Sequence, residues 1–360
     1  PYTHKNLTIF LLHGADPSQG RAPLSLQEAM RRKLVRVRET GDVNKLTIQN
    51  LSGQEVFVQA GDIVKGGQQD RALALDLIAP PKSGRIPIDA FCVEHGRWSR
   101  RGNEAVTAFS ASNNMLASKG LKIAAKASAS QGDVWENVSK EQHKLAMNVT
   151  APPAAMLAAS RGRRGSGPGA GPVDAPRTRE ISESARRLGD DEVNVVASNG
   201  RTLAARQGLT TVTSAASPSS LQLTLENKLV KESASEYVKA LTSRIGHRRD
   251  VIGFVFAING QINSGDVYSS NALFLKLWPK MLEASAVEAV AELKADEAFD
   301  PVTKEAAQAF LLAAQDGKAE TKNVTARTSV VMRETEKRLF FETRDRARNG
   351  SWVHRNYLSK

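Results

Sequence analysis

Val251-Ile-Gly-Phe-Val-Phe-Ala-Ile-Asn-Gly-Gln-Ile-Asn-Ser-Gly-Asp-Val-Tyr268 decides how the second half of this chain is built. An almost wholly apolar run comes first, a mixed run follows, and Asn259-Gly260 stands between them. Asn-Gly tolerates the two positive φ angles of a tight hairpin, so the segment reads as a buried strand, a turn and an antiparallel partner. Upstream, Leu221, Leu223, Leu225, Leu229, Val230, Tyr237, Val238, Leu241 and Ile245 recur close to helical spacing and predict one long amphipathic helix ending near Gly246. Downstream, 272–293 and 303–314 read as helices, with Trp278-Pro279 a kink or a helix boundary. Thr328-Ser-Val-Val-Met-Arg333 and Arg338-Leu-Phe-Phe-Glu-Thr-Arg344 read as a terminal hairpin, and Trp352-Val-His354 as a further strand. Helices alongside hairpins make this region an α+β, helix-plus-hairpin C-terminal lobe.

The first half has a different rhythm. Leu7 to Leu12 reads as a strand, and Ser25-Leu-Gln-Glu28 as the capped start of a short helix. Leu34-Val-Arg-Val-Arg-Glu-Thr40 and Lys45-Leu-Thr-Ile-Gln-Asn-Leu51 alternate apolar with polar residues, and Glu55-Val-Phe-Val-Gln59 and Ala72-Leu-Ala-Leu-Asp-Leu-Ile78 continue in strand-like fashion. Gly41-Asp42, Ser52-Gly53 and Lys82-Ser83-Gly84 supply turns between them. Short strands at this spacing predict a β-rich, sandwich or jelly-roll-like N-terminal lobe over about the first 110 residues. Ala105 to Phe109 reads as a last strand and the stretch around 119–144 as helical. Arg161-Gly-Arg-Arg-Gly-Ser-Gly-Pro-Gly-Ala-Gly-Pro172 can sustain neither a helix nor a ladder. The chain thus divides into a β-rich lobe with a helical end at 1–150, a flexible Gly/Arg/Ala/Ser-rich insertion at 151–220, and an α+β lobe at 221–360 that packs on the first.

Composition narrows the function classes. With 360 residues, 41% of them hydrophobic, the chain can bury a substantial core, and no stretch approaches the roughly 20 apolar residues of a membrane span. The expectation is a soluble protein. Because the chain starts at Pro1 rather than Met, both a cytoplasmic and an exported location stay open. The single Cys92 excludes an intrachain disulfide and a multi-cysteine metal site, and reads as a small buried hydrophobe. His4, His13, His95, His143, His247 and His354 are scattered without ligand spacing, so no metal site is assigned; a carboxylate-only Mg²⁺ site stays open. No serine elbow and no dinucleotide fingerprint occurs, and no cofactor is named. The formal net charge of +12 favours anionic partners. Between Ala151 and Ala216, nine Arg against six Asp and Glu account for +3, leaving +9 for the rest. Nucleotides, nucleic acid and acidic surfaces all qualify, but basicity spread in this way is usually a solvated surface, and 5% aromatic residues give little sign of a base-stacking platform, which makes nucleic acid the lesser partner. Oligomeric state is not read from the sequence.

Polar groups able to hold a ligand concentrate in Ala60-Gly-Asp-Ile-Val-Lys-Gly-Gly-Gln-Gln-Asp-Arg71 and Ile86-Pro-Ile-Asp-Ala-Phe-Cys-Val-Glu-His-Gly-Arg-Trp98. Gly66 and Gly67 remove side-chain bulk so that backbone N–H groups can approach a ligand, while Lys65 and Arg71 can neutralise a phosphate or carboxylate. On an extended backbone Lys65, Gln69 and Arg71 share one face and Gln68 and Asp70 the other. The competing structural reading is a glycine bulge with Arg71 paired to an acid such as Glu94. Glu94 or His95 offers a general base, Arg97 an anion clamp and Trp98 an aromatic wall; the alternative is an Arg97–Glu94 pair that fixes a strand end. Asp133 in Gln131-Gly-Asp-Val-Trp135 is either an acid/base partner for Glu94 or a helix cap.

Gly66-Gly-Gln-Gln-Asp-Arg71, Cys92-Val-Glu-His-Gly-Arg-Trp98, Gln131-Gly-Asp-Val-Trp135 and Val251-Ile-Gly-Phe-Val-Phe-Ala-Ile-Asn-Gly260 together resemble the ARG and rhodanese-phosphatase-superfamily-associated protein domain family, in that family's order and over most of the chain. The family is a domain of unknown function. The resemblance implies a link by gene neighbourhood to ADP-ribosylglycohydrolases and phosphatases, hence a role around ADP-ribose or NAD derivatives, and it carries no activity. The long Gly/Arg insertion after Val149 departs from the compact family pattern. The expectation is therefore a domain that binds a small anionic, nucleotide-derived ligand. Its alternatives are an enzyme that processes such a ligand with Glu94 as base and Arg71 and Arg97 as clamps, and a nucleic-acid-binding or scaffold protein. If Lys65, Arg71, Glu94, Arg97 and Trp98 line one concave pocket, the two ligand readings survive; if their side chains are buried in mutual pairs, those readings fail.

Overall fold

The computed structural model describes residues 1–16, 22–105, 107–150, 209–245, 250–294 and 297–360. Its strands in chain order are β1 (Tyr2–His4), β2 (Leu7–His13), β3 (Leu24–Ser25), β4 (Val35–Glu39), β5 (Lys45–Asn50), β6 (Val56–Val58), β7 (Asp62–Gly66), β8 (Arg71–Leu73), β9 (Leu77–Ala79), β10 (Ile86–Cys92), β11 (Phe109–Leu116), β12 (Val251–Ile258), β13 (Gln261–Tyr268), β14 (Ala319–Asn323), β15 (Thr328–Glu334), β16 (Arg338–Asp345) and β17 (Ser351–Ser359). The helices used below are α1 (Leu26–Arg31), α2 (Lys119–Ile123), α3 (Gln131–Thr150), α4 (Leu221–Leu225), α5 (Lys228–Ile245), α6 (Asn271–Ala291) and α7 (Lys304–Ala313). The fold is α+β.

The hairpin turns at Asn259 (φ 52°) and Gly260 (φ 72°), as Asn-Gly demands, and β12 and β13 become inner strands of an eight-stranded antiparallel sheet ordered β1-β2-β12-β13-β17-β16-β15-β14. The N-terminal strand β2 pairs with β12, so the two ends of the chain meet in this sheet. Alternation puts Phe254 and Phe256 on the face covered by α6, packed with Phe274, Leu277 and Met281, and Val255 on the other face with Phe310 of α7, Phe340 and Tyr357.

A six-stranded antiparallel sheet ordered β11-β7-β8-β10-β5-β4 curls until β4 meets the chain just before β11 through the Arg38–Ala108 bridge, and is nearly closed as a barrel. Val35 and Val37 point inward while Arg36 and Arg38 face solvent, and the interior fills with Leu46, Ile48, Val64, Leu73 and Ile88 beneath α1. A small sheet, β3-β6-β9, completes this region.

Several elements differ from the sequence expectation for identifiable reasons. The run Ala72 to Ile78 is two strands in two sheets, because Asp76 turns its carboxylate inward to accept from Ala60 N–H at 2.6 Å and Thr343 Oγ1 at 2.5 Å. The long helix splits into α4 and α5, since Asn227 offers its side-chain oxygen to Leu229 N–H and starts a new helix. The 119–144 helix breaks at Ala129 (φ 48°), and Ser130 Oγ caps α3 by accepting from Asp133 N–H at 3.2 Å. Pro279 stays inside α6; the carbonyl deprived of its donor belongs to Leu275, an exposed residue. Of the segment 151–220, residues 151–208 lie outside the described residues, whereas Val212 and Ser220 are fully buried.

Candidate functional site

The glycines of the Lys65–Arg71 segment turn the chain between β7 and β8. Gly66 (φ 117°) and Gly67 (φ 58°) hold conformations that side-chain-bearing residues rarely adopt, and this breaks the alternation expected of an extended segment. The space that a Gly67 Cβ would occupy is taken by Glu39 Oε1 and the Phe109 ring, each 2.5 Å away. Close approach here is by the chain itself.

Around this turn lies a buried knot of ions. Arg101 binds Asp70 through both terminal nitrogens at 2.9 Å and reaches Glu94 at 3.3 Å and Glu104 at 3.0 Å. Arg97 Nε donates to Glu94 Oε1 at 2.6 Å, and its other nitrogens donate to the Gly67, Ser99 and Gly66 carbonyls. Asp70 N–H donates to Glu94 Oε2 at 3.0 Å, and Ser220 Oγ to Asp70 Oδ2 at 2.8 Å. Arg71 is a correction: its partners are the Gln69 carbonyl at 3.0 Å and Glu39 at 3.7 Å, not Glu94, whose oxygens Arg97, Arg101 and Asp70 N–H already occupy. The wholly buried Gln69 holds Arg71 from its side-chain oxygen as well. Lys65 is drawn away to Glu226 at 2.5 Å, and Trp98 is 53% exposed. His95 sits edge-on to Trp135 with ring centres 4.5 Å apart, its backbone N–H on Ser219 Oγ. Asp133 is exposed on the first turn of α3 and is not a partner of Glu94.

Gly66, Gly67, Arg97 and Glu94 therefore come together, while Lys65, Trp98 and Asp133 point elsewhere, and the charges meet as mutual pairs. Burial would raise the Glu94 carboxyl, but Arg97, Ser217 and Asp70 N–H outweigh it and hold the group below its ordinary range. That shift is opposite to the one a general base near neutral pH needs. A ligand anion on Arg97 or Arg101 would have to displace Glu94 or Asp70.

A cleft of about 630 Å³ opens on another side of the molecule. One face of α3 gives it Asn137, Lys140, Glu141 and Lys144; the end of α6 gives Glu288 and Glu292; the β12–β13 turn gives Asn259, Gln261 and Asn263; Ser359 and Lys360 close one end. Ser118 and Lys119, next to each other where α2 begins, anchor two of the carboxylates: Ser118 Oγ donates to Glu141 at 2.7 Å, and Lys119 N–H points at Glu288 at 3.3 Å. Burial, with Glu288 and Glu292 nearby, pushes Glu141 up to about 7 against the pull of Ser118 and Lys144. Burial also raises Glu288, against Asn263 and Lys119. None of the residues that the sequence offers as ligand-binding or catalytic groups lines this cleft.

Glu288 also borders a small void walled by Lys122, Asp266 and Ser285, and behind it is a polar network between the barrel and the large sheet. His354 Nδ1 meets Asp76 at 2.7 Å and Nε2 meets Asp266 at 3.0 Å; its ring stacks on Tyr268 at 4.4 Å. Burial would lower the His354 pKa, but Asp76 and Asp266 raise it. Burial would raise both aspartates; His354 dominates in holding Asp76 well below the carboxylate range, and Lys122 followed by His354 lowers Asp266. Lys280 on Asp62 at 2.5 Å, and Lys126 on Asn356 at 3.0 Å, extend the network. Asp266, on the second strand of the hairpin, is 2% exposed. The one usable signal in the sequence is Asp76, a lone acid in the apolar run Ala72 to Ile78.

Among the described residues, no group of three or more His, Cys, Asp or Glu side chains is placed to hold a metal ion, and no helix is long and apolar enough to cross a membrane. Cys92 is buried, and burial pushes its thiol up to about 11. A family model described as the ARG and Rhodanese-Phosphatase-superfamily-associated Protein domain matches residues 1–358. No curated protein and no solved structure matches the chain.

Proposed function

The chain belongs to the ARG and rhodanese-phosphatase-superfamily-associated protein domain family, and from that premise we propose that it binds a small anionic, nucleotide-derived ligand in the cleft between α3, α6 and the end of β17. The observation that carries this reading is Lys119, a cleft lysine whose ammonium donates to a hydroxyl rather than to a carboxylate. Lys119, Lys140, Lys144, Lys294 and Lys360 face Glu141, Glu288, Glu292 and Glu297, and two of those four carboxyls resist ionisation. Burial disfavours charge on Glu141 and Glu288, while Lys140, Lys144, Lys294 and Lys360 each pair with a carboxylate, that of Glu136, Glu292, Glu297 and Glu334 respectively. Lys119 keeps its charge uncompensated by a carboxylate in its hydrogen bond, donating instead to the Ser359 hydroxyl at 2.9 Å. The volume lies within the usual range for small-ligand sites, roughly 300–1,000 Å³. ADP-ribose is the probe that the family's association suggests.

Titration calorimetry tests this. ADP-ribose is expected to bind wild type, and the Lys119→Ala/Lys140→Ala double variant to lose about tenfold or more, the worth of one charge-assisted hydrogen bond. Equal affinity in the two proteins sinks the reading. Turnover is a second reading, favoured by Glu141, a cleft carboxyl poised to exchange a proton near neutral pH. Product formation from ADP-ribose that disappears in Glu141→Gln, with binding retained, supports it; binding without product in wild type rejects it.

A further inference from the structure

One wall of the cleft carries a polar group whose bonding is incomplete. Asn263 is 6% exposed; its amide nitrogen donates to Glu288 Oε1 at 2.9 Å, and its Oδ1 has no partner. A buried amide oxygen left unsatisfied carries a desolvation cost that a bound group can remove. The neighbouring polar groups narrow what that group is. Ser359 Oγ donates to the Asn263 backbone carbonyl at 2.9 Å and receives the Lys119 ammonium, so one hydroxyl links a cation to the residue whose amide oxygen is vacant. Glu288 and Glu141 line the same cleft from two helices, each able to donate when protonated and accept when ionised. Should the Asn263 amide turn about, its nitrogen in place of its oxygen would be the vacant end. A hydroxyl, being donor and acceptor at once, satisfies either orientation and either state of the carboxyls; a carbonyl or an ammonium satisfies only one.

We propose that the ligand of this cleft carries hydroxyl groups beside its anionic group, as a sugar phosphate does, with Asn263 and Glu288 taking the hydroxyls and Lys119 the phosphate. This rests on the anion reading of the same cleft and specifies the ligand's class within it. Phosphate fixes the ligand by charge, and the hydroxyl contact discriminates among anions, because a site built to pair a hydroxyl leaves its own groups unpaired when that hydroxyl is missing.

Calorimetry with ribose 5-phosphate, propyl phosphate and ADP-ribose separates the two claims. The first two probes have the same phosphate monoester, and only ribose 5-phosphate adds hydroxyls. Ribose 5-phosphate is expected to bind wild type about tenfold tighter than propyl phosphate, and Asn263→Ala to erase that difference while leaving propyl phosphate unchanged. The wild-type comparison stands whether or not the variant folds. If ADP-ribose binds but the two monoesters bind equally, the hydroxyl inference is overturned and the anion reading survives. If none of the three binds, both fall.

Discussion

His354 is held between two buried carboxylates, and removing it takes from both the group that hydrogen-bonds and charge-balances them at contact, leaving only the more distant Lys122 and Lys126. His354→Ala is expected to destabilise the protein by about 3–5 kcal/mol, measured as a shift in the urea midpoint, because breaking a buried ionic cluster strands the remaining charges. The pH dependence has a definite sign. The folded His354 pKa lies above the ordinary 6.5, so its contribution is complete below that pH and is lost as pH rises through the folded value. Asp76 is depressed below 3.8, so its contribution is present above that pH and is lost as pH falls. Wild-type stability should therefore decline at both ends, and His354→Ala should flatten the alkaline side; an unchanged alkaline slope counts against the cluster. Gly67→Ala tests a different residue: its left-handed φ and the 2.5 Å approach of Glu39 and Phe109 predict a loss of about 2 kcal/mol in the same assay.

At the scale of elements, the segment entering α4 acts as a strap over the β7–β8 turn. Ser219 holds the backbone of His95, Ser220 caps α4 and donates to Asp70, and Leu221 N–H donates to the Val93 carbonyl. Arg101→Ala should cost about 3–5 kcal/mol by stranding buried Asp70. It should also speed amide exchange across 219–226, whereas Lys65→Ala, removing a partly exposed pair, should cost about 1 kcal/mol or less. Equal costs would mean that the knot does not hold the strap. The strap also shows what could be read in advance. The β12–β13 hairpin was legible because Asn-Gly fixes a turn locally, and β4 and β5 because alternation is a local property. The polar segments 65–71 and 94–98 stood out by composition, but their role depends on Arg101, Glu39 and Ser220, which composition does not connect to them. Asp76 and His354 are 278 positions apart, and Glu141 and Glu288 sit on different helices. Periodicity gives each its face and says nothing of its partner.

At the scale of the whole molecule, barrel and large sheet are joined by a polar core, and the cleft opens where α3 and α6 pass the β12–β13 turn. Glu141, from α3, faces Glu288 and Glu292 of α6, Lys144 of its own helix and the Ser118 hydroxyl. As pH rises through about 7, Glu141 becomes an anion inside the proposed anion site, so ADP-ribose, whose pyrophosphate charge is constant there, should bind more weakly at pH 8 than at pH 6. Glu141→Gln should remove most of that slope. The same group makes folding less favourable as pH climbs, since its folded pKa of about 7 exceeds the ordinary 4.5; at pH 8 Glu141→Gln should be more stable than wild type by up to about 3 kcal/mol. Where the ligand sits can be read without any substitution, by hydrogen–deuterium exchange with and without saturating ADP-ribose. The account predicts slowed exchange at 118–120 and 259–261, around the cleft. Slowing confined to 65–71 and 94–98 would place the ligand on the ion-pair knot instead and contradict it.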